Sequence, residues 1–115
     1  MTRLLLSLVL IAGSIATVHA EADADTEIRA LIQAVAESEC EFNRNGSLYS
    51  AETAAEHLEL KYSRGKRYAD SAEAFIERLA SKSSWSGEPY QMICDGETQP
   101  AGLWLTMRLE ALRSQ

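Results

Sequence analysis

The chain has 115 residues and sets 17 Asp and Glu against 11 Lys and Arg, a formal net charge of −6. That length suits one small domain and is short for two. The acidic balance argues against nucleic acid or anionic lipid as the main partner, since both reward net positive charge.

The first segment is a secretory signal. One positive charge at Arg3 precedes an apolar run from Leu4 to about Val18, and the small residues Val18 and Ala20 suit cleavage after Ala20. The run is short for a membrane span. Removing residues 1–20 takes Arg3 away, so 10 basic residues face 17 acidic ones and the net charge falls to about −7. Residues 21–25 are acidic and alanine-rich and read as a flexible tail. A single α+β domain then spans 26–115.

Thr26 is placed to cap a first helix, and Ile28, Leu31, Ile32 and Val35 recur at i, i+3, i+4 and i+7. The pattern stops near Glu39. Asn45-Gly46 then sits between two short runs and is the strongest local signal in the chain, a two-residue type I′ turn. Counting outward pairs Arg44 with Ser47, Asn43 with Leu48 and Phe42 with Tyr49. Ser50 caps a second helix to about Arg64, with Gly65 placed for a left-handed end. On that helix Thr53, His57, Leu60, Lys61 and Arg64 share one arc. Lys61, Arg64, Lys66 and Arg67 form the main basic concentration, which reads as cations complementing the helix's negative end.

Ser71 caps a third helix through about Ala80, with Ala72, Phe75, Ile76 and Leu79 on its apolar stripe. A serine-rich loop from Ser81 to Pro89 carries Trp85. Tyr90, Met92 and Cys94 then alternate with Gln91 and Ile93 as a strand would. Asp95-Gly96-Glu97 turns the chain, and Pro100 stands at the first position of a last helix. That helix is apolar nearly all round, with Trp104, Leu105, Leu109 and Leu112 on its widest arc and Leu103 and Met107 off it. In so small a domain the reading is burial.

Cys40 and Cys94 are the two cysteines of an exported chain, and a structural disulfide is the default. The bond requires strand 90–94 to lie beside the start of the hairpin. The expected fold is therefore a small three-stranded antiparallel sheet, hairpin 40–50 plus strand 90–94, packed by about four helices.

Several separated residues form a recognisable set: Cys40-x-Phe42-x-Arg44-Asn45-Gly46-x-x-Tyr49, His57-Leu58 with Lys61, Ala72-Glu73-x-Phe75-Ile76, the loop Ala80 to Tyr90 with Cys94, and Trp104-Leu105. With these residues the chain resembles the YfeK-like family of small exported bacterial proteins, a domain family of unknown function. The resemblance implies a periplasmic location in a bacterium. It supplies no catalytic residue, ligand or partner.

Among candidate functional residues, Arg44 and Lys82 suit a carboxylate or phosphate, Trp85 a flat apolar contact, and Ser84 and Ser86 the remaining hydrogen bonds. Asn45 and Tyr49 belong to the same hairpin surface. The expected function is a periplasmic binding or accessory module, touching an envelope protein or small ligand through the hairpin and the serine loop. A competing reading is a small hydrolase pairing His57 with a serine of the 81–86 loop, although no Gly-x-Ser-x-Gly or Ser-x-x-Lys motif is present. A third is a structural interaction module using an apolar patch on the last helix. No metal cluster, phosphate-cradling glycine loop or nucleotide fingerprint implies a metal or cofactor.

Overall fold

Residues 23–115 are described by a computed structural model; the predicted signal segment, its cleavage point and the start of the predicted tail lie outside them. Asn45 and Gly46 take φ of 52° and 83°. Both centres of the turn are left-handed, as type I′ requires, and the Gly46 amide donates to Asn43 Oδ1 at 3.0 Å. Strands β1 (Glu41–Arg44) and β2 (Ser47–Tyr49) pair in the register the turn dictates, Phe42 opposite Tyr49 and Arg44 opposite Ser47.

The sheet has four strands rather than three, in the order β2-β1-β3-β4, all antiparallel. Strand β3 (Gln91–Cys94) turns through Asp95 and Gly96, at φ 50° and 79°, into β4 (Glu97–Pro100). Asp-Gly carries the same turn chemistry as Asn-Gly. The segment after it lacks alternating apolar residues because it is an edge strand. Pro100 belongs to this edge, where a missing N–H is tolerated, and so it ends the strand and stands as the N-cap of the helix rather than at the expected first position. The Ala101 amide donates to Tyr90 O at 2.8 Å, and α4 (Ala101–Arg113) starts there.

Cys40 and Cys94 are bonded, with Cα atoms 4.6 Å apart, beside the Glu41–Ile93 pair that joins β1 to β3. Such a bond belongs to an oxidising, extracytoplasmic setting. No helix among the described residues is long and apolar enough to cross a membrane.

Helix α1 (Ala24–Glu37) begins before the expected cap Thr26, because Asp23 accepts the Thr26 amide at 2.8 Å. Part of the predicted tail is therefore helical. The helix also stops short of Glu39, which is left-handed at φ 59° and turns the chain toward β1. Ile28, Leu31, Ile32 and Val35 are buried, as their spacing requires. Helix α2 (Ala51–Gly65) is capped by Ser50, whose Oγ accepts the Thr53 amide at 3.2 Å. Its alanines face the core, and Tyr62 donates to Asp25 Oδ1 at 2.7 Å across to α1.

Gly65 is not left-handed. Its φ is −117°, and the chain runs on into a 3-10 turn over Lys66–Tyr68. What the glycine provides is space, since a Cβ there would lie 3.0 Å from Leu79 Cδ2. Ser71 caps α3 (Ala72–Phe75), which loosens into a π-helical turn over Ile76–Ala80. Ser81 Oγ donates to the Ile76 carbonyl at the end of that turn.

The core joins Phe42, Tyr90 and Met92 of the sheet side to Ile28, Leu31, Leu58, Phe75 and Leu105 of the helices. Arg113, at the far end of α4, donates to both oxygens of Glu27 at 2.7 and 2.9 Å and pairs with Glu73. Leu103 and Met107 are 52% and 58% exposed, against the expectation of burial. Ala101, Leu105 and Leu109 of α4 are buried in the core, with Trp104 and Leu112 partly buried against it.

Candidate functional site

The hairpin tip and the serine loop are one structure. Asn45 Nδ2 donates to Ser83 Oγ at 3.3 Å, and Ser86 Oγ donates to Asn45 Oδ1 at 2.6 Å. Ser83 is buried, and its Oγ also accepts the amides of Trp85 and Ser86, each at 3.2 Å. The loop's stem is closed by a bridge between Lys82 and Pro89. Its inner side is tied to α2 through Lys61, whose Nζ donates to Lys82 O and to Tyr90 Oη, both at 3.2 Å.

These ties leave an open cleft of about 380 Å³ between the hairpin, α2 and the loop. Arg44, His57, Lys61 and Arg64 line it together with Ser83, Ser84, Tyr68, Trp85, Tyr90, Leu79 and Gly65. No Asp or Glu is among the lining residues. Nor does any carboxylate among the described residues pair with Arg44, Lys61 or Arg64.

The chemistry follows from that imbalance. Arg44 Nη1 lies 2.9 Å from both ring nitrogens of His57. A guanidinium can only donate, so the imidazole must offer a lone pair. Burial, then the charges of Arg44 and Lys61, holds the His57 pKa below its usual value, which keeps the ring neutral at pH 7. Lys61 is half-buried with neutral oxygens as its protein partners, and desolvation, helped by Arg44, lowers its pKa to about 8. A nuclear magnetic resonance titration of the Lys61 Cε should therefore have its midpoint near 8 and not near the usual 10.5. The folded pKa is depressed, so the unfolded chain holds the extra proton between about 8 and 10.5, and stability rises with pH through that window as the cost of burying the Lys61 cation is relieved.

Of the residues singled out by sequence, Arg44, Ser84 and Trp85 line the cleft, while Asn45 and Ser86 form the clasp at its edge. Tyr49 is set back: its ring lies 5.8 Å from the Arg44 guanidinium carbon and supports that side chain from outside the cleft. Lys82 contributes its carbonyl to Lys61, and its ammonium is not part of the lining. Cys40 and Cys94 anchor the strands behind. Trp85 is 91% exposed at the mouth.

His57 makes no hydrogen bond to a serine or carboxylate among the described residues, both nitrogens being turned to Arg44. Ser81, Ser83 and Ser86 have other partners. Ser84 lines the same cleft as His57, without a hydrogen bond between them. No group of His, Cys, Asp and Glu that would hold a metal ion occurs among the described residues.

Sequence reasoning assigned Lys61 and Arg64 to the helix end and did not bring them to the site. Their spacing from His57 at i+4 and i+7 was the available signal. What it lacked was Arg44, which comes from the hairpin.

The clasp is testable. Asn45→Ala should cost about 1–2 kcal/mol in urea denaturation, from a lost left-handed preference and lost hydrogen bonds. Asn45→Gly restores the backbone preference but not the side-chain bonds. Faster hydrogen exchange at the Trp85 and Ser86 amides in both variants would assign the loop's order to the clasp.

Residues 22–113 match the family described as a family of unknown function, DUF5329. Among curated proteins, the "Uncharacterized protein YfeK" of Salmonella typhimurium is 37% identical over 73 residues, covering 63% of this chain and 61% of that protein. The chain thus aligns with about three fifths of that relative's length. No solved structure matches it. The YfeK resemblance carried by the hairpin and serine-loop motifs therefore holds, and with nearly every described residue inside the family match, the chain belongs to the DUF5329 family.

Proposed function

We propose that the protein is a periplasmic binding module that contacts an envelope component through the cleft between hairpin tip, α2 and serine loop. One observation carries this reading: the Asn45 clasp fixes the serine loop over a cleft lined by Arg44, Lys61 and Arg64 without a carboxylate. Arg44 and Lys61 are partly buried without a carboxylate partner among the described residues, which is unfavourable in a domain whose only task is to be stable. An exposed tryptophan at the mouth adds a flat contact surface. The disulfide and the signal-like N-terminal sequence support the location.

A photoreactive amino acid in place of Trp85, activated in intact cells, tests it. The expected result is a discrete adduct that is absent when the probe replaces Thr106 on α4 and that is lost with Arg64→Gln. Equal labelling from both positions, or none from position 85, would overturn the reading.

A second reading rests on Leu103 and Met107, exposed one turn apart on α4. It makes that face a protein contact. Light scattering coupled to size exclusion, comparing the native chain with Leu103→Gln/Met107→Gln, would show a mass change if the contact is self-association.

A further inference from the structure

We infer that the cleft takes an organic phosphate monoester, its phosphoryl group held among Arg44, Lys61 and Arg64 and its organic body against Trp85 and Tyr68. The inference rests on the binding-module reading and names the ligand class of the same site.

Charge is the first argument. Arg44 and Arg64 are permanently positive, Lys61 is mostly protonated at pH 7, and no acidic side chain lines the cleft. His57 offsets none of this charge, because it is a neutral acceptor to Arg44. A carboxylate would supply one negative charge and two acceptor oxygens. A phosphate monoester carries a charge of about −1.5 to −2 near pH 7 and three strong acceptor oxygens. The dianion is the closer match to three cations on two elements.

Donor geometry is the second. Lys61 Nζ has three N–H groups and uses two on Lys82 O and Tyr90 Oη. One remains. Arg44 spends Nη1 on His57, which steadies the guanidinium while its other N–H groups stay available, and Tyr49 supports it from behind. Arg64 has no protein partner among the hydrogen bonds and ion pairs of the described residues, and stands one turn along α2 from Lys61.

Size and shape supply the third. The cleft, at about 380 Å³, is in the lower part of the range for small-molecule sites, about 300–1,000 Å³, and exceeds what a bare inorganic anion fills. Trp85, 91% exposed, lines the cleft with the cations and presents open ring surface, while Tyr68, 46% exposed, lines it with the Arg67 guanidinium carbon 4.8 Å from its ring centroid. Stacking on a planar body accounts for the open tryptophan. A polyanion is a poorer fit, since the net charge of −6 opposes a long negative chain while leaving a small ligand free to enter.

Phenyl phosphate is the probe, titrated into the purified protein at low salt and pH 7, with Trp85 fluorescence and the Lys61 Cε resonance as readouts. Saturable binding is expected, with inorganic phosphate and benzoate each roughly tenfold weaker or worse. Bound dianion should raise the Lys61 midpoint from about 8 by roughly one unit. Arg64→Gln, at an exposed position, should weaken binding about tenfold without altering the fold. Trp85→Ala should reduce phenyl phosphate affinity to that of inorganic phosphate.

Benzoate binding as well as phenyl phosphate, inorganic phosphate binding as well as phenyl phosphate, or an unmoved Lys61 midpoint would each overturn the inference. Failure of phenyl phosphate to bind alongside a specific Trp85 adduct would overturn the ligand class alone. Saturable phenyl phosphate binding with indiscriminate photolabelling would remove the envelope-contact reading and keep the site.

Discussion

Replacing Cys40 and Cys94 together by alanine should remove about 4 kcal/mol of stability, because the bond closes a loop with a sequence separation of 54. Domains of this size total about 5–15 kcal/mol, so roughly a quarter to four fifths of the margin goes with it. The melting temperature should fall by roughly 15–30 °C. Urea denaturation of the oxidised protein, the reduced protein and the double variant gives the comparison. Reduced protein and double variant should agree, since both leave the denatured chain unconstrained. A loss below about 1 kcal/mol would mean that the two strands hold together without the bond.

Phe42→Ala should be comparably damaging. Phe42 is 1% exposed on a central strand, opposite Tyr49 on one side and Met92 on the other, with its ring 5.1 Å from that of Tyr90. Truncating a phenyl group in such a place costs about 3–5 kcal/mol, from lost transfer free energy and the cavity left behind. Phe42→Leu keeps most of the volume and should cost roughly 1–1.5 kcal/mol. The effect should also reach the cleft, since Arg44 is two residues along the same strand and Tyr90 accepts from Lys61. A raised Lys61 titration midpoint in Phe42→Leu, at unchanged overall fold, would register that loosening.

Much of this architecture is legible in residues because local chemistry and tertiary packing agree. Asn45-Gly46 specifies both turn and register, Ser50 and Ser71 cap the helices they precede, and the stripes on α1 and α3 are buried. The fourth strand was hidden for a physical reason. An edge strand of Glu97, Thr98, Gln99 and Pro100 buries little, so it carries no apolar alternation, and only Asp95-Gly96 announces it. Gly65 misled in a similar way: its lack of a side chain serves Leu79 across a helix contact, which sequence alone does not reveal.

The candidate site was half legible. Arg44, Ser84 and Trp85 were found from the hairpin and loop, whereas Lys61 and Arg64 were explained away by a helix end that also welcomes cations. Lys82 neighbours the right residues in the chain but contributes only backbone to them. Which way a loop side chain points depends on the bridge at its stem, and that bridge is a product of folding.

The strand order has a kinetic consequence. Each hairpin closes over a few residues and can form within microseconds, but the seam between them pairs Glu41 with Ile93, with the helices α2 and α3 in between. Joining the two ribbons is thus the step with the largest loop-closure entropy, and it should limit the folding rate. A chain oxidised before collapse would start with that encounter already made, so refolding should be markedly faster with the cysteines linked than with them reduced.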